Sequence, residues 1–513
     1  MTNSNGPMNR RRAIALGGSV AAGMMAPLAA SAQAKPAASA DLTLTGVTIV
    51  DTHTGKLSPN MTVSVRDGKI SAIVPTSGSV AANAIDAHGQ FVVPGYNDYH
   101  GHPLGSSDPQ GSLTLMLANG ITGFREMGAW NTMLEDRRAG TLVPAIPAPE
   151  LLELAGEILN PGNASTPAIA VATVQKQIAR GADFIKIIDY SPDVFFAVAA
   201  ECKRQNVRFI GHLSPAVNVR DAARAGMRSI EHMGPRDSVL LGCSTDEAAL
   251  RPVAVSVAPK PAPGGPIPRD VIARSVANPT LSTSVAEIAR YQRVIDTFSE
   301  AKSHDLAAHF VAAGTWHVPT LIRVRTMAIG DDARYRNDPN LEYVPAQTRQ
   351  MWEQISQQFS TTFTPESRAT LRALFASSAK LVKPFKDGGV NMMAGSDLGG
   401  GFVVPGFGLH DEFDLLAEAG LSPLDVLKMT TLNGARFLGR ESSMGSVAVG
   451  KNANLVLLDA DPTLSVANLH RIAGVVRAGT YYSASELAAM KKATADRVAG
   501  GVAVVNTGRP ACC

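Results

Sequence analysis

The sequence predicts an α/β fold, a (β/α)8 TIM barrel carrying a small β-sandwich built from both ends of the chain. Three observations lead there. Short apolar strands alternate with helical stretches through the middle of the chain. β-Branched strand patterns recur near both termini. The 513 residues, 45% hydrophobic, suffice for one large barrel and a smaller domain.

Taken in order, Arg10, Arg11 and Arg12 precede an apolar, Ala/Gly-rich run from Ala13 to about Ala30 that ends in small residues. That layout is a cleaved export signal, and its twin arginines and weakly hydrophobic core resemble a Tat signal; a retained membrane anchor is the alternative. Residues 1–34 are therefore expected to direct export to the periplasm or medium, with no membrane association after cleavage. The first sandwich part, 35–95, holds Leu42–Asp51, then Met61–Val74 broken by a turn at Asp67-Gly68, then Ala84–Val93 closing on Pro94-Gly95. The second part, 441–483, shows the same pattern in Gly445–Ala460 and Ile472–Tyr482, and a helix and tail fill 484–513.

Between them, 96–440 reads as the barrel. Its strands are the one leading into His100, then Gly120–Glu126, Leu151–Gly156, Phe184–Ile188, Arg208–His212, Ser229–His232, Val318–Ile322 and Asn391–Asp397. The spacings from Lys186 to His212 and from His212 to His232 suit single crossover units. The interval from His232 to Asp397 is too long for its one strand and implies an insertion at about 240–315 and 330–388, including the Pro-rich run Arg251–Pro279. Such an insertion would cover the C-terminal face of the barrel as a substrate lid, or else form a solvated loop or oligomer contact.

A net charge of +3 from 47 basic and 44 acidic residues creates no field favouring nucleic acid. Cys202, Cys243, Cys512 and Cys513 have neither zinc-ribbon nor disulfide-framework spacing.

The chemistry-bearing residues end the predicted strands. His100 and His102, in VVPGYNDYHGH, are two apart and so face the same side at the end of the first barrel strand. Lys186, in GADFIKIIDY, points inward between two outward isoleucines. Burying an ammonium is costly, which favours a neutral amine able to capture carbon dioxide as a bridging carbamate; a lysine snorkelling to Asp183 or Asp189 is the alternative. His212 and His232 each close a strand, one helix apart, where neutral imidazoles could bind a second metal. Asp397 ends MMAGSD, where Gly395 and Ser396 let the backbone approach closely, and its carboxylate could bind metal and accept a proton.

The segments VVPGYNDYHGH, GADFIKI, IGH, SIEH and AGSD, in this order from about Leu42 to Tyr482, resemble the binuclear branch of the amidohydrolase superfamily. The C-terminal run LHDEFDLLAEAGLSPLDVLKMTTLNGARFLG resembles its imidazolonepropionase-like and Xaa-Pro dipeptidase group. The resemblance implies two divalent metal ions, with zinc expected. His100, His102 and Asp397 would hold the more buried ion, His212 and His232 the more exposed one, and Lys186 would bridge them as N6-carboxylysine. It also implies hydrolysis of an amide bond in a dipeptide-like or N-acyl amino acid substrate by a metal-bridging hydroxide, with Asp397 as the proton carrier, and assembly into a homo-oligomer. Arg323, Arg325, Tyr190 and His410 are candidate substrate contacts. The same centre would serve an esterase, lactonase or phosphotriesterase, and a non-enzymatic scaffold relative is the remaining alternative. The Pro-rich insertion and the neighbours of the ligands, such as His212-Leu213-Ser214-Pro215, depart from the group and leave the substrate open.

Overall fold

The structure, a computed structural model, describes residues 41–77, 84–143, 147–188, 190–234, 236–256 and 269–501. The expected export signal, Asp189, residues 257–268 of the Pro-rich run and the Cys512-Cys513 tail lie outside the described residues. Among the described residues, no helix is long and apolar enough to cross a membrane.

The N-terminal region forms β1 (Leu42–Val50), β2 (Leu57–Arg66), β3 (Lys69–Pro75), the two-residue β4 (Ile85–Asp86) and β5 (Phe91–Pro94). Asp67 and Gly68, at φ 51° and 71°, make the tight turn between β2 and β3. Both sit in the left-handed region that suits a two-residue hairpin. The barrel strands are β6 (Tyr96–Gly101), β7 (Ile121–Glu126), β8 (Glu150–Leu154), β9 (Phe184–Ile187), β10 (Arg208–Gly211), β11 (Met227–Glu231) and β12 (Trp316–Val318). Near the far end come β13 (Leu455–Leu458), β14 (Ile472–Arg477) and β15 (Thr480–Ser483).

Strands from the two chain ends join in one hydrogen-bonded sheet ordered β15-β14-β13-β5-β1-β2-β3, with β4 on β1. The expected sandwich is thus a continuous ladder, because β5 pairs with β1 on one side and antiparallel with β13 on the other. Leu44, Val63, Val92, Leu455, Leu457 and Val476 share its apolar core.

In the barrel, β6-β7-β8 and β9-β10-β11-β12 are two parallel runs. Parallel bridges from Ala155 to Phe184 and from Leu159 to Ile187 join the first run to the second. A segment at 391–398 closes the ring, pairing His317 with Met392 on one side and Gly101 with Leu398 on the other. Asp397 N donates to the His100 carbonyl at 2.7 Å across this closure.

Two expected strands differ. The seventh is Trp316–Val318, not Val318–Ile322, because Thr320 takes a positive φ of 43° and the chain enters a helix at Leu321–Ala328. The eighth is a bridged segment without a regular ladder. Asp397 itself turns left-handed at φ 54°, which breaks strand geometry where the segment reaches the barrel mouth.

Between β11 and the closing segment, the long insertion is mostly helical. Arg269–Ala277, Val285–Asp296, Glu300–Ala313, Ala346–Thr362 and Pro365–Ala379 are its principal helices. A Ser284/Glu287 capping box fixes the start of the second.

Candidate metal centre

Alternation along β9 puts Phe184 and Lys186 on the inner face, while Ile185 and Ile187 pack outward into the main core. Lys186 is fully buried, and its Nζ lies 3.0 Å from His100 Nε2. The pleat of β6 presents the His100 and His102 rings with centroids 5.8 Å apart. Gly395 is required beside them, since a Cβ there would stand 2.7 Å from His100 Cβ. Asp98 ties the closing segment to β6, accepting from Ser396 N at 3.0 Å, Ser396 Oγ at 2.5 Å and His100 N at 3.1 Å.

The carboxylate of Asp397 is the hub. His100 Nε2 is 3.3 Å and His102 Nε2 3.6 Å from its Oδ1, while His232 Nδ1 is 3.9 Å and Arg323 Nε 3.3 Å from its Oδ2. His100, His232 and Asp397 each offer a ligand atom within 4.8 Å of the others. The His212 ring stands 4.7 Å from that of His232, and both line a cavity of about 110 Å³ together with Asp397. The structure therefore brings all six predicted residues to one end of the barrel. His232, like Asp397, has a left-handed backbone, at φ 62°. Such conformations cost energy and persist where the surroundings enforce them.

Burial keeps the His102, His212 and His232 imidazoles neutral. Burial pushes His232 down to about 3, with His100 and Lys186 adding to the effect against Asp397. Burial likewise holds His102 and His212 well below the ordinary histidine range. Burial alone would raise Asp397, but His232, His100 and Arg323 outweigh it and keep the carboxyl well below its usual range.

Metal ligation asks for neutral imidazoles whose other nitrogen is fixed by a partner. Glu231 Oε2 lies 2.6 Å from His100 Nδ1, and Thr320 Oγ1 lies 2.6 Å from His232 Nδ1. A ring donating through Nδ1 keeps its lone pair on Nε2. Burial would raise Glu231, yet His100, Arg125 and Ser229 hold it down to about 2, so it is an anion facing the ring. The decisive fit is that His102 Nε2 and His212 Nε2, both buried, have no hydrogen-bond partner. Two buried imidazole nitrogens without a partner, in a cluster built around one carboxylate, suit cations.

Glu231, Thr320, Asp98 and Glu126 are site residues that the motif reading passed over. Glu231 directly precedes His232 in SIEH, and Glu126 ends the strand beside β6, so both had a positional signal. Thr320 had none, because the expected strand hid the turn that presents it. Glu126 Oε1 stands 3.3 Å from His102 Nδ1, outside hydrogen-bond geometry, and its Oε2 accepts from Leu104 N at 3.0 Å.

The four expected substrate contacts separate. Arg323 lines the cavity, but its guanidinium donates to the Val276 and Ala277 carbonyls as well as facing Asp397, which makes it a latch holding an insertion helix to the centre. Arg325 and Tyr190 do not line that cavity. The charge of Arg325 acts on Tyr335 and Asp411, and the buried Tyr190 hydroxyl has no partner. His410 lies at the opposite end of β6, edge-on to Tyr96 and donating from Nε2 to the Asn119 carbonyl at 2.9 Å. Its partners there remove it from the site.

The model of the amidohydrolase family matches residues 356–491. An adenine deaminase of Paracoccus denitrificans (strain Pd 1222) is 35% identical over 89 residues, 17% of this chain. The match spans only 15% of that relative's length. Among solved structures, a bottromycin amidohydrolase superposes with a TM-score of 0.64 at 21% identity, covering 89% of this chain and 90% of its own. A Xaa-Pro dipeptidase with methionine bound in its active site gives 0.58 at 16% identity, covering 86% and 100%. The ochratoxinase of A. niger gives 0.55 at 15% identity, covering 87% and 96%. These likenesses establish the shared fold.

Proposed function

We propose that this chain is a member of the amidohydrolase superfamily and a binuclear metal-dependent hydrolase of an amide bond in a dipeptide-like or N-acyl amino acid substrate; the family model over residues 356–491 and the fold shared with a bottromycin amidohydrolase support the reading. His100, His102 and Asp397 would hold one divalent ion, His212 and His232 the other, with Lys186 between them carrying a carboxylate formed from carbon dioxide with loss of one proton. Zinc suits these nitrogen and oxygen ligands. Such ions supply a water nucleophile at neutral pH and polarise the scissile carbonyl.

The chain's own side chains do the rest. Asp397 accepts the proton that the attacking water gives up and delivers it to the nitrogen of the departing amine. Glu231 and Thr320 hold the His100 and His232 rings in their ligating tautomers. The apolar wall of the cavity, Leu371, Leu374 and Phe375, excludes bulk water around the reacting carbonyl.

One observation carries the reading: a buried aspartate ringed by imidazoles, with two neighbouring imidazole nitrogens left without a partner. The test combines metal analysis of protein loaded with zinc and a panel of N-acyl amino acids, dipeptides, lactones and phosphotriesters. About two equivalents of metal and hydrolysis of amides are expected. Turnover of lactones or phosphotriesters alone would move the assignment to those esters. Less than one equivalent in carefully loaded protein would leave the scaffold alternative standing.

A further inference from the structure

The end of the barrel opposite the metal centre gathers positive charge around one aromatic ring. Phe437, on the helix Leu432–Leu438, is buried there, and the guanidinium carbons of Arg125, Arg208 and Arg228 stand 4.9, 5.4 and 5.6 Å from its ring centroid. Arg208 opens β10 and Arg228 is the second residue of β11, whereas the metal-centre residues close their strands. The two strands are parallel neighbours, with Phe209 paired to Met227, so both guanidiniums start from one edge of the barrel. Arg228 also lies 5.8 Å from the ring of Trp316, the first residue of β12.

These cations outnumber the acids beside them. Glu153, on β8, accepts from Arg125 Nε at 3.1 Å through Oε2 and from Arg208 Nη2 through Oε1, which occupies both of its oxygens. Glu150, which opens β8, is taken by Arg440 Nη2 at 2.6 Å. Arg125 gives Nη1 to the Tyr99 carbonyl at 3.2 Å, and its buried Nη2 has no hydrogen-bond partner. Arg228 gives Nη1 to the Gly314 carbonyl at 2.7 Å, and among the described residues it forms no ion pair. Burial first, then Arg125 and Arg228, pull the Arg208 guanidinium down to about 10. The Arg208 side chain is 30% exposed and Arg228 is half-buried, so the crowded cations reach solvent.

Three guanidiniums with one shared carboxylate repel one another without compensation. Stacking on Phe437 and Trp316 fixes their planes and leaves their N–H edges for an acceptor, and such edges match the oxygens of a phosphate-type anion.

We propose that Arg208 and Arg228 bind a small tetrahedral oxyanion, inorganic phosphate, at the N-terminal end of the barrel, with the buried Arg125 adding positive charge behind it. The ion accepts from both guanidinium edges and offsets the charge that Glu153 leaves unmatched. It ties β10 to β11 at the end remote from the metals, so it stabilises the barrel and takes no part in hydrolysis. The site stands independently of the amide-hydrolase reading.

The test compares melting temperatures of the full-length zinc-loaded protein in sodium phosphate and in sodium chloride at equal ionic strength, alongside calorimetric titration with inorganic phosphate. Near saturation, phosphate is expected to raise the melting temperature by about 3–5 °C over chloride. Arg228→Met should abolish that gain. Arg228→Lys, which keeps the charge and loses the fork, should bind phosphate several-fold more weakly than the wild type, and it covers the case in which Arg228→Met does not fold. Phosphate ligating the zinc ions instead would give a gain that both substitutions leave untouched, and that result overturns the site. Equal stabilisation of the wild type by phosphate and chloride overturns it as well.

Discussion

Two buried arginine–aspartate pairs in this molecule look alike in composition and differ in how the carboxylate is shared. Asp237 gives both oxygens to one partner, accepting from Arg290 Nε and Nη2 at 2.9 Å each. Asp397 splits its oxygens among His100, His102, His232 and Arg323, at 3.3 to 3.9 Å. The first is a closed clip between the turn after β11 and an insertion helix. The second is shared among three imidazoles and one guanidinium. A carboxylate on which several imidazoles converge marks a place for a cation; one that is matched bidentately to a single guanidinium marks structure.

The comparison can be broken most directly at its two aspartates. Asp397→Asn should leave the fold intact and lower turnover of the best amide substrate by about 10²–10⁴, the usual range for a positioned proton carrier. Wild-type kcat in that variant ends the assignment. Asp237→Ala should do the reverse, costing about 3–5 kcal/mol of stability because Arg290 is left buried and uncompensated. Denaturant unfolding of both variants measures the contrast, and a marginal loss at Asp237 would show that the clip is not structural.

Glu231→Gln sharpens the view at one remove. The amide still reaches His100 Nδ1 but no longer offers an anion, so metal affinity should fall about 10- to 100-fold with little change in melting temperature of the metal-free protein. Competition with a chromogenic chelator reads it out. Unchanged affinity would demote Glu231 to packing.

A third carboxylate supplies the opposite limit, one crowded by its own kind. Burial first, then Asp338 and Asp414, push Asp411 up to about 7 from an ordinary 3.8. The folded state therefore keeps a proton that the unfolded chain has released, and stability should fall as pH climbs between those two values. Asp411→Asn should flatten that limb and gain on the order of 1 kcal/mol at pH 8 once solvent screening is allowed for. Melting temperatures of both proteins from pH 4 to 8 decide it, and parallel profiles would refute it.

How far the sequence could be read follows from the same physics. Strand-end residues with period-two alternation declared themselves, so His100, His102, Lys186, His212, His232 and Asp397 arrive at one end of the barrel, as expected. The barrel and its companion sheet were equally legible, because β-branched runs and the Asp67-Gly68 turn are local signals. What was not legible depends on contacts between distant segments. Val318–Ile322 has strand composition, yet the left-handed Thr320 sends Arg323 and Arg325 onto a helix. Arg323 then meets the Val276 and Ala277 carbonyls, contacts across more than 40 residues that no local pattern encodes. His410 lies on a helix whose direction the sequence does not give, and that helix carries it to Tyr96 at the far end of β6.

The order in which strands enter the terminal sheet has a consequence for biosynthesis. During translation β5 emerges several hundred residues before β13, its neighbour in the finished ladder, so a row of unsatisfied amides flanked by Phe91, Val92 and Val93 stays open until the ribosome passes Leu458. Nascent or prematurely terminated chains would present that row as a template for sticking to one another. Polypeptides ending before residue 455 should accordingly accumulate as aggregates, and chaperone demand in the producing cell should fall sharply once the last strands are made.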